Sequence, residues 1–148
     1  MRPIPGLLGL LVVLFGYLVA VFIAVVVTVA LVMTGGLLTA EDPLPGFVAT
    51  LILGIWVGCL ITFPTALPGF ILSVVLARMT DMERLAWFAT AGALDALLAL
   101  GLFTLFDRTV YFPAPVVIAC VIGGLAGGIA YWKSAGRFLT EWLTPEVA

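Results

Sequence analysis

Leu7–Met33 reads LLGLLVVLFGYLVAVFIAVVVTVALVM, 27 residues without a single charge. A hydrocarbon core of ~30 Å takes about 20 apolar residues as a helix, at roughly 1.5 Å each, so this stretch is long enough to cross a bilayer alone. It also exceeds the apolar core of a secretory signal, about 7 to 15 residues, and is expected to be a retained span. The same absence of charge recurs along the chain. Pro43 to Ala77 and Thr109 to Trp132 contain none, and Leu85 to Phe106 contains only Asp95. Over all 148 residues, 64% are hydrophobic and 9% charged, whereas a soluble domain carries about a quarter charged residues. The composition is that of an integral membrane protein.

Four spans are predicted, at about 7–33, 47–77, 81–106 and 114–132, in one transmembrane domain covering 1–148 with a tail over 133–148. The expected fold is an all-α four-helix bundle. The first span is expected to end at Thr34-Gly35-Gly36, where paired glycines loosen a helix, before the acidic loop Glu41-Asp42-Pro43. The second is too long for one straight crossing, since its 31 residues make ~46 Å of helix. Its excess surrounds Phe63-Pro64-Thr65-Ala66-Leu67-Pro68-Gly69, where each proline deletes a backbone donor and crowds the preceding turn. A kinked or broken helix, or a re-entrant hairpin turning at Pro64 to Pro68, would accommodate this segment. Thr80-Asp81-Met82-Glu83 has the form of a capping box opening the third span, and Pro113 and Pro115 suit the first turn of the fourth. In the tail, Phe138, Leu139, Trp142 and Leu143 share one side of a short amphipathic helix. A longer fourth helix with a polar end is the alternative.

Topology follows from the basic residues, which cytoplasmic loops retain. With four single crossings, Arg2, Arg78, Arg84, Lys133 and Arg137 share one side and Arg108 alone takes the other. Both termini are therefore expected in the cytoplasm. The re-entrant alternative splits the same charges two against four.

Composition excludes much chemistry. There is no His, and Cys59 and Cys120 are far apart in sequence, so no zinc, haem or iron–sulfur ligand set can be assembled. No cofactor or metal is expected, and no enzyme, because no base accompanies Ser73 or either cysteine within a span. No basic run is present to neutralise phosphates, which argues against a nucleic-acid partner. The expected partners are the lipid bilayer and another membrane protein or a second copy of the chain.

Helices in lipid associate where small side chains let backbones approach. Rows spaced by four occur in three spans: Gly16, Ala20, Ala24 and Thr28 in the first; Thr50, Gly54, Gly58 and Thr62, then Thr65, Gly69, Ser73 and Ala77, in the second; and Gly123 with Gly127 beside Gly124 with Gly128 in the fourth. The last is a doubled GxxxG pattern. It can hold the fourth helix against two neighbours, or against one neighbour inside and a partner outside.

Asp95 is the one charge far from a span end. A carboxylate at the membrane centre costs roughly 2.5–3.5 kcal/mol on insertion scales and by default marks function. Three of its helical neighbours at three and four positions, Ala91, Gly92 and Ala99, are small, so its face is expected to meet another helix or a cavity. Nothing basic is available to pair with it, which favours the neutral acid. At similar depth Pro64 removes the donor for the Leu60 carbonyl, and Pro68 that for the Pro64 carbonyl. Asp95, Thr62 or Thr65 is expected to supply the missing hydrogen bonds. Asp95, Thr62, Pro64, Thr65 and Pro68 thus form a candidate site, either a structural lock or a proton or cation site at a discontinuous helix.

The ending Gly123-Gly124-Leu125-Ala126-Gly127-Gly128-Ile129-Ala130-Tyr131-Trp132, followed by Ala135-Gly136-Arg137, resembles that of small four-span inner-membrane proteins of alphaproteobacteria. The resemblance implies a bacterial inner membrane and four spans, and carries no activity or functional residue to this chain. Two functions are compatible with these readings: an accessory or scaffold subunit acting through its small-residue faces, or a small proton- or cation-coupled transporter or channel component using Asp95 and the proline segment.

Overall fold

The computed structural model describes residues 6–39, 47–80, 85–106 and 111–136. These form α1 (Gly6–Thr39), α2 (Phe47–Thr80), α3 (Leu85–Phe106) and α4 (Ala114–Tyr131), and α4 runs on into a π-helical turn, Trp132–Gly136. The chain is an all-α four-helix bundle whose helices are each long and apolar enough to cross a membrane. Valine-rich stretches such as Val25-Val26-Val27 suit strands in water. In lipid every backbone N–H and C=O must be satisfied within its own segment, and that constraint selects helix.

Three helices, α1, α2 and α4, run past the limits expected from sequence. α1 continues through Gly35 and Gly36 to Thr39. Glycine costs a helix only about 1 kcal/mol relative to alanine, too little to end one, and the Thr34 hydroxyl stays within the helix by donating back to Ala30 O at 2.7 Å. α2 is one unbroken helix through Pro64 and Pro68, neither re-entrant nor divided. α2 ends at Thr80, and the rest of the expected capping box, Asp81 to Glu83, lies outside the described residues. At 34 residues each, α1 and α2 are about 51 Å long and extend beyond the hydrocarbon core or tilt within it.

The packing centre is α4, which lies closely against both α1 and α3. Gly123 and Gly127 face α1: a Cβ on Gly127 would come within 2.8 Å of Ala20 O and 2.9 Å of Ala24 Cβ, and one on Gly123 would overlap the Thr28 hydroxyl. Gly124 and Gly128 face α3, where Gly124 meets the backbone of Gly92, with Ala96 Cβ 3.1 Å from its Cβ position, and Gly128 meets the backbone at Phe88. The two offset glycine pairs are therefore turned to two neighbours within the chain. Thr28 adds a weak bond to Ala119 O at 3.4 Å across the α1–α4 contact.

Beyond Tyr131 the helix widens to a π turn. The Trp132 N–H is shared between Gly128 O and Ile129 O. Ala135 and Gly136 are buried, and Ala135 packs where a side chain on Gly16 would stand. The helix thus outlasts its predicted end at 132, because the turn has α1 to pack on. Phe138, Leu139, Trp142 and Leu143 fall outside the described residues.

α2 is held less closely than the other three. Gly58 and Gly54 admit Val25 and Val29 of α1, and Ile55, Cys59, Phe63, Ala66 and Phe70 cover Tyr17, Val21 and Val25. Its far side carries large apolar groups outward, Trp56 and Leu60 being 68% and 71% exposed. In water such a surface would mark an interface; around a membrane bundle it is the face for lipid.

Replacing Gly124 with Ala should destabilise the bundle by about 1–3 kcal/mol, the range for overpacking, because the added methyl meets fixed Gly92 backbone. Gly101→Ala, where a Cβ meets nothing within 4 Å, should be neutral or gain up to about 1 kcal/mol of helix propensity. Unfolding in detergent of the two variants side by side checks the contrast.

Candidate functional site

The gap left between α2 and the α1–α4–α3 layer is a cavity of about 260 Å³ lined by all four helices. Its walls are small residues and aromatic rings, and Asp95 is the one charged residue among them. Thr62, Thr65 and Ser73 of α2 also line it. The structure therefore brings Asp95, Thr62 and Thr65 to one space.

Asp95 reaches that space because Gly69 has no side chain. Its Oδ1 occupies the position a Gly69 Cβ would take, with Cγ 2.7 Å from that point. The carboxyl thus lies directly on the α2 backbone, one residue beyond Pro68. The same helices meet again nearer the α2 C-terminus, where Trp87 Nε1 donates to Ser73 O at 3.2 Å. In the other direction the lining is exposed. Ile61 and Phe103 line the cavity yet are 43% and 41% exposed, and Thr65 is exposed as well. The mouth accordingly lies between α2 and α3, on the apolar belt of the bundle.

Pro64 and Pro68 stand on the exposed side of α2 and do not line the cavity. This corrects the expected pairing of Asp95 and the threonines with the carbonyls freed by the prolines. Thr65 Oγ1 donates instead to Ile61 O at 2.8 Å, with Thr62 O at 3.3 Å, and Ser73 Oγ donates to Phe70 O at 2.8 Å. Those freed carbonyls belong to Leu60 and Pro64, which turn outward with the prolines, so a carboxyl seated at Gly69 is on the wrong side to reach them.

The proline segment is served from α1. Tyr17 donates its hydroxyl to Phe63 O, immediately before Pro64. Its ring lies 5.3 Å from Phe63 and 4.6 Å from Phe70, centroid to centroid. Phe70 then meets Tyr131 edge-on at 4.8 Å, and Tyr131 meets Phe88 at 5.2 Å. This seam of rings joins all four helices along one wall of the cavity. Each such pair adds roughly 0.5–1.5 kcal/mol beyond burial.

Tyr17, Gly92 and the aromatic seam were missed from sequence. Tyr17 carried a usable signal: it is a hydroxyl about ten residues into an apolar span, away from the interfacial belts where tyrosines gather, and it needs an acceptor there. Gly92 was visible only as a small neighbour of Asp95. Among the described residues no three His, Cys, Asp or Glu side chains come together, so the polar chemistry of the cavity is that of a single carboxyl with hydroxyls around it. Comparison with protein-family models, curated proteins and solved structures finds no match to this chain.

Removing only the Tyr17 hydroxyl, as Tyr17→Phe, keeps the ring contacts and leaves Phe63 O without its cross-helix donor. Interhelical hydrogen bonds in membranes average about 0.6 kcal/mol with a ceiling near 1.7. A loss in that range is expected in reversible unfolding, and no change would show that the bond does not anchor α2.

Proposed function

We propose that this chain is a non-enzymatic, multi-pass protein of the bacterial inner membrane whose working site is the Asp95 cavity, and that it serves as a small carrier or channel component. One observation carries this reading: the only charged residue in the middle of a span lines a cavity built by all four helices. An intramembrane carboxyl with no basic partner is costly to keep, and packing alone does not call for a space of this size beside it. Four helices enclose little polar volume, so a complete path across the membrane requires a second copy or another membrane protein.

The competing role, an accessory or scaffold subunit docking through its small-residue faces, draws less support from the geometry. Gly16, Ala20, Ala24, Gly54, Gly58, Gly123, Gly124, Gly127 and Gly128 are turned to neighbours inside the chain, and Gly69 is turned to Asp95. The orientation with both termini in the cytoplasm rests on the five-to-one distribution of basic residues. The assignment to a bacterial inner membrane rests on the resemblance of the fourth span and its flank.

Orientation is checked by fusing reporters to the C-terminus in a bacterial host. Green fluorescent protein should fluoresce and alkaline phosphatase should stay inactive, and the reverse pattern would invert the topology.

The working site is checked with dicyclohexylcarbodiimide, a lipid-soluble reagent that adds to protonated carboxyls. With the full chain in lipid nanodiscs, peptide mass spectrometry should find the adduct on Asp95. The Asp95→Asn variant, matched for folding by circular dichroism, should lose it. Labelling confined to carboxylates outside the spans would mean that Asp95 is sealed, and the accessory role would then be the better account.

A further inference from the structure

The Asp95 cavity is large for a proton or a bare ion. One water molecule has a share of about 30 Å³ in the liquid, and an engineered apolar cavity of about 150 Å³ takes up benzene. At about 260 Å³ the space suits an organic molecule somewhat larger than one aromatic ring.

The lining narrows the chemical class. Tyr17, Phe70, Phe88 and Phe103 present ring surface, and aliphatic and small residues supply most of the remainder. Against this apolar wall stands one carboxyl, with no Lys or Arg lining the cavity. A buried charge is tolerated when it is paired and hydrogen-bonded, and the group missing here is a cation. Ring faces add attraction for an ammonium, strongest where water is excluded. An anionic ligand would meet Asp95 with like charge. Six hydroxyl-bearing residues line the space, but those of Tyr17, Thr28, Thr65 and Ser73 already donate to backbone carbonyls, so a sugar would find few free donors beside the one carboxyl. A divalent metal ion wants six to eight oxygen ligands, which this lining does not gather.

The mouth narrows it further. Ile61, Thr65 and Phe103 stand where the cavity meets the exposed surface between α2 and α3, and that surface is the belt facing lipid. A ligand entering there arrives from the bilayer and must partition into it.

We propose that the cavity is a binding site for lipid-soluble amines, with the nitrogen at Asp95 and the apolar body among Tyr17, Phe70, Phe88 and Phe103. This rests on the reading of Asp95 as the working site. A neutral amine coming from the lipid takes the carboxyl proton: the O–H bond of Asp95 breaks, an N–H bond forms, and a carboxylate–ammonium pair results with no change in total charge. That step lets the ligand enter uncharged and be held as an ion. Gly69, by admitting the carboxyl against α2, sets where the nitrogen sits.

The test uses radiolabelled N,N-dimethyl-2-phenylethylamine, a tertiary amine that the carbodiimide cannot couple to a carboxyl, and the full chain in lipid nanodiscs, with 2-methyl-4-phenylbutan-2-ol as a neutral alcohol of similar shape. The amine should bind saturably and protect Asp95 from dicyclohexylcarbodiimide. The alcohol should compete at least tenfold more weakly on the unaltered protein, a comparison that needs no variant to fold. Asp95→Asn should weaken amine binding at least tenfold, and Asp95→Glu should retain it to within a few fold. Equal competition by amine and alcohol, or equal binding to the protein and Asp95→Asn, would overturn the amine assignment. If the carbodiimide labels Asp95 but the amine neither binds nor protects, the ligand class falls while the site stands. If the carbodiimide fails to label Asp95, the site itself falls.

Discussion

The bundle depends on how closely the α4 backbone approaches two neighbours at once. Lipid tails are as apolar as leucine, so burying one helix against another gains little from the hydrophobic effect, and association must come from contact and hydrogen bonds at short range. The two offset glycine pairs of α4 permit this on both flanks. Gly123 and Gly127 admit Ala24, Thr28 and the Ala20 carbonyl of α1, while Gly124 and Gly128 admit the α3 backbone at Gly92 and Phe88. A methyl group on any of these four positions would stand where a neighbour already is. α1, α4 and α3 are consequently fixed as a unit, and the π turn after Tyr131 extends it by burying Ala135 and Gly136.

α2 is attached by different means, and the cavity follows from the difference. Its glycines at 54 and 58 receive valine side chains, not backbone, so the helix stands further off. What holds it is polar and aromatic: the Tyr17 bond to Phe63 O, the rings around Phe70, the Trp87 bond to Ser73 O, and the seating of Asp95 on Gly69. The Tyr17 contacts lie on the α1 side, and those from α3, Trp87 and Asp95, meet the C-terminal half of α2 at Ser73 and Gly69. Between Ile61 and Phe103 no comparable bond among the described residues draws α2 to α3, and the space there remains as the cavity.

Much of this was legible in the residues, for physical reasons that also mark where legibility ends. Charges cannot sit cheaply in hydrocarbon, so the uncharged runs locate all four helices and isolate Asp95. Glycine rows record close approach, so Gly123 to Gly128 reveal that α4 is a contact helix, though not which neighbour each pair meets. Helix ends were read too short because Gly35 and Gly36 weaken a helix without stopping it. Pro64 and Pro68 announce that backbone donors are missing, but the face they occupy depends on the rotation of α2 against its neighbours. That rotation is set by Tyr17, Gly69 and the ring contacts, which are tertiary facts. The aromatic seam joins residues from four helices and leaves no periodic trace in any one of them.

Asp95 can serve as a lock and as a site because both roles use the same contact. Seated on Gly69, the neutral carboxyl fills a notch in α2 and ties α3 to it, which is what a structural group would do. A carboxyl meant only for that purpose would be best enclosed by well-packed side chains, since unfilled space beside it forfeits dispersion contacts on every wall. The opposite is found, an open volume lined by rings and reaching the lipid-facing surface. The lack of further acidic or basic residues within the spans argues against a proton wire, which needs relay groups. It does not argue against a ligand that brings its own basic atom. A single carboxyl then suffices, because the second charge of the pair is delivered from the bilayer by the molecule being bound.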